Sequence, residues 1–162
     1  MRIVPALALA ALLAAAPGLA PAAPSEQEIN AINAARADYD RGKRAIDRMA
    51  WKEAIDALQA AARKDPGNAE FHNLLGFSYR SSGNMEAAFR HYGKALELDP
   101  GHRGAREYLG RAYLMTDQPE KAIDQLHQLE KVCPDTCRER DLLRKAIDEY
   151  PWPPPGRSAR SY

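Results

Sequence analysis

The sequence predicts an all-α fold: an α-solenoid of three stacked helical hairpins, with an N-terminal extension before them and a capping helix after them. Three observations predict it. Prolines recur at 66, 100 and 134, at steps of 34 residues, the first two inside nearly identical breakers, Lys64-Asp65-Pro66-Gly67-Asn68 and Leu98-Asp99-Pro100-Gly101-His102. The same step carries Gly42 onto Gly76 and Gly110, Ala54 onto Ala88 and Ala122, and Leu58 onto Tyr92 and Leu126. Between these markers the apolar residues follow a helical period. A fixed period of this length belongs to chains whose units bury their apolar faces only by stacking on a neighbour, and about three units are needed.

Residues 1–22 read as a cleavable signal peptide. Arg2 is their only charge, an apolar run extends from Ile3 to Ala16, and small residues follow from Pro17 to Pro24, with the expected cut after Ala20-Pro21-Ala22. Pro5 and Pro17-Gly18 leave the run short of the roughly 20 apolar residues that span a bilayer. No cysteine lies there to take a lipid, so no membrane anchor is expected after cleavage. The expected location is periplasmic or secreted.

The helical region is expected over 25–150. Ser25 and Glu28 have the spacing of a capping box, which opens a helix near Glu26 carrying the stripe Ile29, Ile32, Ala35 and Tyr39. Three units follow, 35–68, 69–102 and 103–136. Gly83-Asn84 can end one helix and cap the next, and Pro119 suits a first helical turn. Thr136 with Glu139 makes a second capping box, opening a last amphipathic helix over 137–150 with Leu142, Leu143, Ala146, Ile147 and Tyr150. From Pro151 the chain is a Pro-rich tail to residue 162, with polyproline II character; the sharper reading anchors Trp152 on the stack or on a partner.

The middle unit, Asn73-Leu74-Leu75-Gly76-Phe77-Ser78-Tyr79 followed by Ala88, Tyr92, Ala95 and Pro100, resembles a tetratricopeptide repeat, whose pattern is Leu-Gly, Tyr, Ala, an aromatic and Pro. The third unit matches through Leu109-Gly110, Tyr113, Ala122, Leu126 and Pro134, and departs at Leu129, where the family prefers alanine; a looser or reshaped contact with the following helix is expected there. The first keeps Gly42, Ala45, Ala54, Ala61 and Pro66 but has Arg41 in place of leucine, as suits a solvent-facing end of the stack. The resemblance covers 35–136. It implies a non-catalytic scaffold or adaptor whose first helices line a concave groove formed by Tyr39, Lys43 and Ile46, then Asn73, Phe77 and Arg80, then Glu107, Arg111 and Leu114. Tyr39 and Phe77 would anchor an apolar side chain. Lys43, Arg80 and Arg111 would hold a carboxylate or steer an acidic peptide. Some relatives clamp a peptide's C-terminal carboxylate with lysines and asparagines, and that full set does not fall on the matching positions here.

Without Arg2 the chain carries 22 basic and 22 acidic residues. Interspersed signs and no net charge argue against nucleic acid or anionic lipid as a ligand, since both need a basic face. The expected partner is another protein or an extended peptide of the cell envelope, and self-association through the stack ends is a further reading.

Export makes a disulfide the expected state of Cys133 and Cys137. Four residues apart in one continuous helix they would be too distant, but Pro134 separates the end of one helix from the start of another. A loop of five residues stabilises by only about 2 kcal/mol, so its expected role is to pin the last helix. The rival is a thiol-redox or Cu(I)-handling site at the same pair. His72, His91, His102 and His127 show no metal-ligand spacing, and His72 takes a position where the family often has tryptophan, so it is expected to pack. Asp38 with Asp40, and Asp117 with Glu120, read as solvated surface. Phosphate loops, nucleophile elbows and zinc-protease helices are absent from the sequence, so neither cofactor nor catalysis is expected.

Overall fold

A computed structural model describes residues 23–151; the signal reading over 1–22 and the tail reading at Trp152 lie outside the described residues. Among the described residues there are seven helices and no strand: α1 (Glu26–Asp47), α2 (Trp51–Lys64), α3 (Ala69–Ser81), α4 (Met85–Leu98), α5 (Arg103–Met115), α6 (Pro119–Val132) and α7 (Arg138–Asp148). They pair as α1 with α2, α3 with α4 and α5 with α6. The hairpins stack through α2 on α3 and α4 on α5, and α7 closes the stack against α5 and α6. The expected solenoid of three hairpins with a capping helix is the observed architecture.

Local chemistry sets the helix starts. The Ser25–Glu28 capping box is formed, with Ser25 N–H donating to Glu28 at 2.7 Å. Asn68 and Asn84 accept from the backbone N–H groups of Glu70 and Ala87, and Pro119 occupies the first turn of α6. No break separates the N-terminal extension from the first hairpin, because α1 runs unbroken for 22 residues. The Thr136–Glu139 capping box does not form. The residue before α7 is Cys137, without a side-chain cap bond, because Thr136 lies within the disulfide-closed turn.

The hairpin turns repeat one geometry. Met49, Gly83 and Asp117, again 34 apart, adopt left-handed backbone with φ of 58°, 87° and 57°. The next N–H reaches back five residues each time, Ala50 to Ala45, Asn84 to Tyr79 and Gln118 to Tyr113, at 2.8–2.9 Å. This is the Schellman closure, which satisfies carbonyls that the helix end leaves without partners.

The aligned glycines mark close approaches. A Cβ on Gly42 would lie 2.7 Å from Leu58, and one on Gly76 would lie 2.5 Å from the Tyr92 ring. In the third hairpin the approach is made by a different helix: a Cβ on Gly110 would lie 2.6 Å from Leu143 of α7, not against Leu126. Leu129 is wholly buried in the cluster that Leu126, Leu143 and Ile147 complete, so the larger residue there reshapes the contact by filling space under α7.

Cys133 and Cys137 are joined by a disulfide with Cα atoms 5.8 Å apart, linking the end of α6 to the start of α7. Arg140 donates to the carbonyls of Cys133 and Pro134, as Arg106, one period earlier, donates to Pro100. Asp38 is buried rather than solvated. Lys64 Nζ lies 2.5 Å and Arg41 2.9 Å from its carboxylate, tying α1 to α2.

Between α3 and α4 the rings of His72 and His91 meet at Nδ1, 3.1 Å apart, and His91 stacks on Tyr79 with centroids 5.3 Å apart. His72 therefore packs, as expected, but against another imidazole. Burial, and next the neighbouring His72, lower the His91 pKa to about 4; burial likewise lowers His72. Arg90 and Lys94 are the other charges facing the pair, and both act in the same direction. The unfolded chain protonates His91 near pH 6.5, whereas the folded chain resists until about pH 4, so this contribution to stability is complete above pH 6.5 and is lost as the pH falls through that window. With solvent screening the loss is on the order of 1–2 kcal/mol. Comparing melting temperatures at pH 7 and pH 4.5, His91→Gln is expected to show a smaller acid-induced drop than the parent protein.

Candidate groove between α3, α5 and α7

A cavity of about 620 Å³, within the size range of ligand sites, lies between α3, α5 and α7. Glu70 and Asn73 reach it from α3, Glu107, Tyr108 and Arg111 from α5, and Arg138, Glu139 and Leu142 from α7, with His102 and Arg103 at one lip. Side chains i, i+3 and i+4 along a helix share a face, which brings Glu70 beside Asn73 and Glu107 beside Arg111.

A hydrogen-bonded chain crosses the floor. The Ala105 N–H donates to His102 Nδ1 at 3.2 Å, and His102 Nε2 lies 3.1 Å from Glu70 Oε2, which also accepts from Asn73 Nδ2 at 2.9 Å. His102 thus caps α5 and joins it to α3. Burial alone would push the Glu70 carboxyl up, but the bonds from His102 and Asn73 together hold it below its ordinary value; Glu70 in turn raises His102.

Glu107 is 3 % exposed. Burial raises its pKa even though Arg111 Nε stands 2.5 Å away and Arg80 is near. The Arg111 contact is an ion pair without hydrogen-bond alignment, since that Nε has no hydrogen-bond partner.

Four buried side-chain polar atoms among the described residues have no hydrogen-bond partner: Asn73 Oδ1, Arg80 Nε, Tyr92 Oη and Arg111 Nε. Asn73 and Arg80 belong to α3, Tyr92 to α4 and Arg111 to α5. Asn73 and Arg111 line the cavity, while Arg80 lies over the Tyr108 ring and Tyr92 packs beside it with ring centroids 6.3 Å apart. Buried groups of this kind are ordinarily paired, and leaving one unpaired costs about 1–3 kcal/mol.

The nine residues expected to line one groove divide. Asn73, Glu107 and Arg111 line this cavity. Tyr39 lines a second recess of about 310 Å³ with Ile32 and Phe71, its ring 5.2 Å from Phe71 and under Lys43 Nζ at 5.5 Å. Phe77 and Arg80 stack on each other and on Tyr108, with Trp51 edge-on to Phe77, so they form an aromatic ridge. Leu114 packs toward the α6–α7 core, and Ile46 is half-buried on α1. The basic residues are therefore already engaged: Lys43 and Arg80 on rings, Arg111 on Glu107. Glu70, His102, Tyr108, Arg138 and Leu142 were not among the expected lining residues. The period itself pointed to His102, since it falls 34 residues after the cap residue Asn68.

Among the described residues no helix is long and apolar enough to cross a membrane. Tetratricopeptide repeat profiles match residues 39–102 and 79–139. Superkiller protein 3 of Saccharomyces cerevisiae is 29% identical over 113 residues, covering 65% of this chain; the chain spans 8% of that protein's length. The TPR domain of Arabidopsis OM64 superposes with a TM-score of 0.67 at 15% identity, over 73% of this chain and 97% of that one. The first TPR of Spaghetti (RPAP3), solved with the HSP90 peptide SRMEEVD, gives 0.65 at 20% identity, over 72% and 92% of the two chains.

Proposed function

Because residues 39–139 belong to the tetratricopeptide repeat family, we propose that this protein is a non-catalytic scaffold of the cell envelope that holds an extended peptide or a protein segment in the groove between α3, α5 and α7. Two unpartnered buried polar atoms in that groove, Asn73 Oδ1 from α3 and Arg111 Nε from α5, carry the reading. A chain lying there brings main-chain donors and acceptors every residue, which is what such a floor lacks. A structural neighbour solved with a peptide supports the same use of the fold. The apolar–charged mixture of the lining, Tyr108 and Leu142 beside Arg111 and Arg138, fits a peptide better than a small apolar ligand.

No observation favours a thiol site at Cys133 and Cys137, whose sulfurs are joined and whose side chains are buried. Photo-crosslinking tests the groove. A benzophenone side chain at Arg103, on the lip, is expected to capture a partner in the producing cell, and Arg111→Glu is expected to weaken that capture at least tenfold with helical circular dichroism unchanged. Equally strong adducts from Lys94 on α4, outside the groove, would move the binding surface elsewhere.

A further inference from the structure

We propose that His72 and His91 form a two-coordinate site for a monovalent d10 metal ion, Cu⁺ or its surrogate Ag⁺, between α3 and α4 and separate from the groove. The geometry points to this coordination number. The Nδ1 atoms are 3.1 Å apart while the ring centroids are 5.4 Å apart, with planes inclined by 22°. The centroid spacing is little more than the nitrogen separation plus the two ring radii, so the nitrogens lie on the line between the rings and their lone-pair axes face each other. Donors opposed in line are what a linear two-coordinate ion requires. Two metal–nitrogen bonds of about 2.0 Å would need the nitrogens about 4 Å apart, so the rings must separate by roughly 1 Å. Both rings are half-buried, so each keeps part of its surface open to solvent.

The surroundings orient the pair. His91 lies flat on Tyr79, at 10° between planes, and Tyr79 Oη accepts from Gln59 Nε2 at 2.8 Å. The Pro66 carbonyl lies within reach of the His72 ring. His72 holds the register position that Arg106 and Arg140 occupy one and two periods later, and those residues donate to Pro100 and Pro134. Metal-binding histidines commonly give their second N–H to such a carbonyl, which leaves the facing nitrogen's lone pair free.

Among the described residues no group of three or more His, Cys, Asp or Glu could hold an ion. An ion that demands four protein ligands is thus unserved here, whereas two imidazoles complete the shell of a linear one. Binding exchanges one partner for another: the Nδ1 proton shared between the rings moves to a free Nε2, two nitrogen–metal bonds form, and the complex keeps the ion's single charge with no electron transferred.

Silver nitrate in chloride-free buffer, added to the protein with its disulfide intact and its histidines ¹⁵N-labelled, tests this. One equivalent is expected to shift the Nδ1 resonances of His72 and His91 and split them by coupling to silver, leaving His102 and His127 unmoved. His72→Asn and His91→Asn are each expected to weaken binding at least tenfold by calorimetry. Silver that shifts His102, His127 or the methionine methyls while leaving this pair unchanged would overturn the proposal. So would the double variant binding as tightly as the parent, or no binding at micromolar protein.

Discussion

Gly76→Ala is expected to destabilise the fold by about 2–3 kcal/mol, an effect of opposite sign to the one helix propensity alone predicts. Alanine in place of a mid-helix glycine ordinarily gains up to about 1 kcal/mol. Here the added methyl would stand 2.5 and 2.6 Å from Cδ1 and Cε1 of Tyr92, a fully buried ring. A ring wedged between α3 and α5 cannot yield without moving a helix, and overpacking of this sort costs about 1–3 kcal/mol, more where the obstacle is rigid. The control lies within the same chain. At Gly110 the obstacle is the terminal methyls of Leu143, at 2.6 Å, which can turn aside, so Gly110→Ala is expected to cost about 1 kcal/mol or less. Urea unfolding of the two variants orders them, and a larger loss at Gly110 would disprove the claim that ring rigidity sets the penalty.

Leu143→Ala is expected to cost about 3 kcal/mol, and its severity should depend on the disulfide. Leu143 is fully buried, covers Gly110 and completes the cluster of Ala122, Leu126, Leu129 and Ile147. Losing a buried leucine side chain costs about 2–5 kcal/mol, depending on how far the site can collapse. With Cys133 and Cys137 joined, the weakened α7 stays tethered to α6. Reduction removes about 2 kcal/mol more by the loop-entropy estimate, so Leu143→Ala under reductant is expected to lose α7 from the stack while the first two hairpins stay helical. Thermal melts followed by circular dichroism with and without reductant read this, and a reductant-independent melt of the variant would contradict it.

The fold was legible because its markers are backbone constraints repeated at one step. Pro66, Pro100 and Pro134 punctuate, Gly42, Gly76 and Gly110 permit contact, and Ser25, Asn84 and Pro119 start helices, each for reasons contained within a few residues. What escaped was non-local. Nothing near Thr136 says that Cys137 rather than Thr136 will immediately precede α7 and delay it by a residue, and nothing near Gly110 says that α7 rather than α6 will fill its notch. The groove fared less well than the fold for the same reason. Residue type at a face position identified Asn73, Glu107 and Arg111, but not that Arg80 would fold onto Phe77 and Tyr108, nor that Asp38 would be buried between Lys64 and Arg41. Charge in sequence does not reveal whether a neighbouring helix has already claimed it.

The shared turn at 49, 83 and 117 bears on how the molecule opens. Left-handed backbone costs an ordinary residue about 1–2 kcal/mol and glycine almost nothing, so only the middle hairpin closes without strain. Asp117 recovers part of its cost, because its carboxylate accepts from the Tyr150 hydroxyl and so ties the turn to the end of the capping helix. Met49 has no such return, since the residue is 72% exposed. Native-state amide exchange should therefore grade along the chain: fastest at the first turn, intermediate at the third, and slowest in α3 and α4. The molecule would breathe from its N-terminal end while the groove wall built on α3 stays closed.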